Sequence, residues 1–96
     1  MPAVNFKLAW PDGEQQEYYC PSTVIYHYFE AGQQISQSDF SENITAALNA
    51  ASDRVHAKFG YYCSAASAEL QKINDKLNQL QQAEITGDIQ LVEFRQ

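Results

Sequence analysis

Two cysteines stand in the same tripeptide, Tyr-Tyr-Cys, once in EYYCPSTVIYHYF (Glu17–Phe29) and once in FGYYCSAASAEL (Phe59–Leu70). Each has a histidine seven positions away: His27 follows Cys20, and His56 precedes Cys63. Thiolate plus imidazole are the ingredients of a Cys₂His₂ zinc site or of an activated nucleophile. The zinc reading fails on distance. Ligand atoms of one ion sit within about 4 Å of each other, whereas residues seven apart on a helix are separated by about 10 Å along its axis. The short Cys-x₂₋₄-Cys spacing of small zinc sites is also missing, so neither metal nor cofactor is expected.

Thiol chemistry has a better footing. A Cys at a helix start has its thiolate stabilised by the terminal N–H groups and the helix dipole. Both cysteines precede helix-start residues, in CPST and CSAA. Arg54 and Lys58, on the helix before Cys63, add positive charge if their face turns toward it. Against this stands the commoner fate of a free Cys, a small buried filler. Cys63 is therefore the candidate reactive thiol, and a Cys20–Cys63 disulfide is disfavoured in a reducing compartment.

Other catalytic arrangements find no support. Ser22, Ser52, Ser64 and Ser67 sit where capping or small-residue packing accounts for them, and no Gly-x-Ser-x-Gly elbow or phosphate-binding Gly loop occurs. His27 and His56 read as surface or cap residues. The polar stretch ASDRVHAKFG (Asp53, Arg54, His56, Lys58) is either a solvated helix face or a docking patch. Tyr18, Tyr19, Tyr26, Tyr28, Tyr61 and Tyr62 flank the two Cys corners, which suits an aromatic recognition surface or simple core packing. The interaction candidates are Arg54, Lys58, Tyr61, Tyr62, Cys63 and Ser64.

The elements that must position these residues follow from periodicity. Val4, Phe6, Leu8 and Trp10 alternate with smaller or polar residues, the period of a half-buried strand. WPDGE turns the chain, and Glu14–Tyr19 returns as a strand whose polar start suits a sheet edge. CPST opens a short helix capped by Ser22 or Thr23 and broken at Gly32. From about Ser38, Phe40, Ile44, Leu48, Ala51, Val55 and Phe59 repeat every three or four residues, and Gly60 supplies a left-handed cap. A third helix, with Ser64 as its N-cap, carries the stripe Ala66, Leu70, Ile73, Leu77 and Leu80. That stripe serves packing against the second helix and sheet, or a short homodimer seam.

The last strand follows the Gly87-Asp88 turn. It is expected to place Ile89, Leu91 and Glu93 on one face and Gln90, Val92 and Phe94 on the other. Its partly apolar character on both faces suits a central position. The expected fold is one α+β domain spanning 1–96. A small antiparallel sheet, made of the N-terminal hairpin and the C-terminal strand, is covered on one face by three helices in the order ββαααβ.

Twelve acidic against six basic residues leave a net charge of −6. That balance opposes nucleic acid and anionic membranes, which require clustered Lys and Arg. No apolar run approaches the roughly 18 residues of a membrane span, and the start MPAVNFKLAW lacks the pattern of a secretory signal. A cytoplasmic location is the expectation.

WPDG after the first strand, PSTVI, ASDRV with KFG, and then CS occur in the order and spacing of a known group. Together they resemble the small nitrogen-starvation-response proteins encoded in bacterial and cyanobacterial gene clusters built around a nitrilase. Cys63 and Ser64 match that CS pattern, while Cys20 departs from the small residue expected before the Pro. The departure argues against an essential Cys20–Cys63 pair. The resemblance implies a non-enzymatic accessory or regulatory protein linked to nitrile or cyanide assimilation. It would bind a protein from the same gene cluster, or itself as a homodimer. The alternatives are a small thiol-dependent enzyme or carrier using Cys63, and a small-molecule sensor.

Overall fold

The computed structural model describes residues 3–60 and 64–95, the side chains of Phe59, Ser64 and Ala65 excepted. Strands β1 (Val4–Ala9) and β2 (Gln15–Cys20) form the N-terminal hairpin. A 3-10 turn (Thr23–His27) and a two-residue strand β3 (Gln34–Ile35) lead into helix α1 (Gln37–Phe59). Helix α2 (Ser64–Gln82) and strand β4 (Ile89–Arg95) complete the chain. All strand pairs are antiparallel, and the sheet order is β2-β1-β4-β3.

The α+β class and the antiparallel sheet agree with expectation, as do the pairing of the two terminal strands and the central place of β4. The three-helix order ββαααβ does not. The segment after CPST closes only a 3-10 turn: Ser22 caps it by accepting from Val24 N–H, and the turn ends at a Tyr28 bonded back to Ile25. Thr23, Val24 and Ile25 are β-branched and poor at extending a helix, and so short a segment gives little return on nucleation. The fourth strand was silent in the sequence because two residues show no period. Tertiary pairing makes it, with Gln34 opposite Gln90 and Ile35 opposite Ile89.

The hairpin loop is a type I turn followed by a left-handed glycine. Gly13 N–H donates to Trp10 C=O, Trp10 N–H donates to Glu14 C=O, and Gly13 has φ +94°. In α1, Ser36 is the N-cap and Gly60 adopts φ +80° with its N–H on His56 C=O. The apolar stripe of α1 is buried as its spacing predicts, from Phe40 through Val55. Trp10 bridges the layers: its ring meets Tyr18 and Phe40 edge-on, Phe40 meets Phe29, and Tyr18 stacks on Phe6. Each such side chain contributes about 1.5–3 kcal/mol through burial.

One register detail overturns the expected face assignment of β4. Lys7 pairs with Glu93, but the next residue, Leu8, pairs with Leu91, so Val92 is an extra residue in a β-bulge. The bulge moves Phe94 to the helix-covered face, opposite Phe6, and sends Glu93 to the uncovered face, opposite Lys7.

Candidate functional site

Strict alternation in β1 gives the sheet one buried face and one that no described element covers. Val4, Phe6 and Leu8 are buried under the helices, whereas Asn5, Lys7 and Ala9 are only half-buried. On this face Lys7 lies between Glu17 of β2 and Glu93 of β4, both opposite it in register. Arg95 bonds Glu17 at 3.3 Å. Tyr19, half-buried, stands next to them on β2. The face is thus a ladder of alternating charge with one aromatic ring beside it, a pattern that matches a polar, charge-complementary partner surface.

A second centre lies on the covered side and was missed by the sequence reading. Lys76 of α2 is 9% exposed, and its ammonium donates to Asp12 at 2.6 Å and to Glu14, both in the hairpin loop. It also lies 6.0 Å from the centroid of the Trp10 ring. The available signal was positional: Lys76 falls three residues after Ile73 and four before Leu80, inside the apolar stripe. Burial pulls the Lys76 ammonium toward neutrality, but the bonds to Asp12 and Glu14 outweigh it and raise its pKa. The Asp12 carboxyl is lowered, first by the Lys76 hydrogen bond and then by Glu14 N–H. A lysine held charged in this way is an ion-pairing tether, not a nucleophile.

Beside it, burial pushes the Tyr18 phenol up. That phenol donates to Gln16 at 3.1 Å, and the neighbouring Trp10 indole N–H closes no well-formed hydrogen bond.

A shallow cleft of about 820 Å³ runs between the start of α1, the second half of α2 and the loop before β4. Its walls are mainly amides and hydroxyls, with Ser36, Gln37, Ser41, Asn74 and Asn78 over Leu77 and Ile85. The Gln37 amide spans the cleft's end, donating to the carbonyls of Ile85 and Gly87 at 3.1 Å each.

The residues expected to carry the site are placed as follows. Arg54 and Lys58 are exposed on α1 with Asp53 and His56. Tyr61, Tyr62 and Cys63 lie outside the described residues, and so does the side chain of Ser64, the first residue of α2. The proposed gathering of Arg54, Lys58 and Cys63 is therefore not described. Cys20 is buried with its thiol donating to Ser22 C=O at 3.2 Å, while His27 is exposed.

The tyrosines do not form one surface among the described residues. Tyr18 is core, Tyr28 packs against it, Tyr19 faces the open sheet and Tyr26 meets Phe94 edge-on at 4.7 Å. Among the described residues no group of three or more His, Cys, Asp or Glu side chains could hold a metal ion, and no helix is long and apolar enough to cross a membrane.

Among the described residues these features define a small α+β fold: two helices over an antiparallel sheet, the second tied to the hairpin loop by a buried lysine, with the far sheet face open. The chain belongs to the nitrogen starvation-induced protein NitG family, whose profile matches residues 5–94. Searches of curated proteins and of solved structures found no match.

Proposed function

We propose that this chain is a non-enzymatic accessory or regulatory protein of the nitrogen-starvation response. It acts in the cytoplasm, in nitrile or cyanide assimilation, by binding a protein from the same nitrilase-containing gene cluster. Membership of the NitG family supports the physiological setting. The observation that carries the mode of action is the open sheet face, where Glu17, Lys7, Glu93 and Arg95 present alternating charge around β1 and no element among the described residues covers them. Alternating charge of this kind selects partners by complementarity more than by apolar area.

The test is affinity capture with the tagged chain from cells under nitrogen limitation, with each recovered protein identified. A cluster-encoded protein is expected with the wild type. Its recovery should fall at least about tenfold with a Lys7→Ala, Arg95→Ala double variant that keeps its helical spectrum, because charge pairs set partner choice. Recovery of no cluster-encoded protein, or equal recovery by the variant, sinks this reading.

A further inference from the structure

Among the described residues, strand β2 is an edge of the sheet and pairs only with β1. The phase of its backbone bonding follows from the hairpin. Trp10 N–H donates to Glu14 C=O, so these two residues form a hydrogen-bonded pair. In an antiparallel ladder such pairs alternate with non-bonded ones. Counting back along the register, Gln16, Tyr18 and Cys20 turn their N–H and C=O groups toward β1. Gln15, Glu17 and Tyr19 turn theirs outward, and no described residue bonds to them.

Natural edge strands are usually protected by brevity, Pro, Lys or a bulge. The opposite edge obeys this rule, since β3 is two residues long. Strand β2 is six residues long, keeps an unbroken register with β1, and contains neither Pro nor Lys. Helix α2 packs over the covered side of this strand, and a groove of about 560 Å³, lined by Gln16, Tyr18, Lys72, Lys76 and Gln79 among others, runs between them.

We propose that β2 pairs antiparallel with β2 of a second copy, joining two four-stranded sheets about a two-fold axis normal to them. The strand is self-complementary, so no other sequence is needed. The two-fold keeps both helix layers on one side and both open faces on the other. Outward residues must meet outward residues, which leaves a short choice of registers. An axis at Glu17 sets the two Glu17 carboxylates opposite each other, and like charges in that position destabilise a cross-strand pair. An axis at Tyr18 sets Glu17 of each copy opposite Tyr19 of the other and keeps each Glu17 beside its own Arg95. We assign the second register. This pairing stands whether or not the accessory role holds.

Light scattering should give twice the 10.9 kDa mass of the chain. Amide exchange at Glu17 and Tyr19 should slow with rising concentration, while Gln16 and Tyr18 exchange slowly throughout. Glu17→Pro removes only an outward N–H and is expected to raise the dimer dissociation constant at least about tenfold with the fold retained. Tyr19→Lys blocks the same edge by charge, without a backbone constraint, and covers the case in which the proline variant does not fold. A wild-type chain still monomeric at about 1 mM, or a dissociation constant unchanged in every folded variant, overturns the proposal.

Discussion

Lys76 is nine-tenths buried yet charged, because the Asp12 and Glu14 carboxylates accept hydrogen bonds from its ammonium. The pH dependence of that tether has a definite sign on each side. The Asp12 carboxyl is lowered below its ordinary 3.8, so its contribution is complete above that value and is lost as pH falls through the lowered folded pKa. The Lys76 pKa is raised above 10.5, so its contribution is complete below that value and is lost as pH rises through the raised folded pKa. Lys76→Met should lower Tm at neutral pH by about 5 °C. The gap from wild type should narrow on acidification below 3.8 and on alkalinisation above 10.5. Thermal melts across pH check this, and a gap that stays constant would refute the assignment. The sequence held Lys76 and the Asp-Gly-Glu loop in plain view, but 62 or more positions separate them, and no periodicity links a helix residue to a distant turn.

At the scale of elements, the end of α2 carries a strained cap. Ile85 N–H donates to Leu80 C=O and Glu84 N–H to Gln81 C=O, the bonding of a Schellman motif, with Glu84 in the left-handed position at φ +57°. Glycine is the usual occupant because a Cβ is penalised there. Glu84→Gly should therefore stabilise the protein by about 0.5–1 kcal/mol, the net of relieved strain and a freer unfolded chain. Chemical denaturation measures it, and a loss of stability would contradict the assignment. Helix α1 was legible because its stripe and Gly60 cap are local and mutually consistent. The faces of β4 were not, because the bulge at Val92 exists only against β1. The covered side selects Phe94 over Glu93, and inserting one residue satisfies that selection.

At the scale of the whole molecule, β4 lies inside the sheet, between β1 and β3, although it follows every other described element in the chain. Ile89 and Leu91 are fully buried in the common core, and Leu91 exchanges backbone bonds with the chain at Gly32 and Gln33. A chain ending at Asp88 loses these apolar groups and strands both neighbours' backbone bonds, so it should show no cooperative unfolding transition by circular dichroism. A cooperative melt in that truncation would mean that the hairpin and helices fold without the central strand. The same topology leaves β2 on the outside with its free backbone groups, which ties the proposed self-pairing to the order of strands.

Local pattern alone determined the hairpin, the long helix with its cap and the apolar stripe of α2. Each rests on neighbouring residues whose periods and turn chemistry agree. Only the tertiary structure decided that CPST opens a 3-10 turn, that Gln34–Ile35 becomes a strand, that Val92 bulges, and that Lys76 is drawn inward. Those outcomes depend on partners far away in the chain. Burial and backbone bonding against such partners override local propensity wherever the local signal is short.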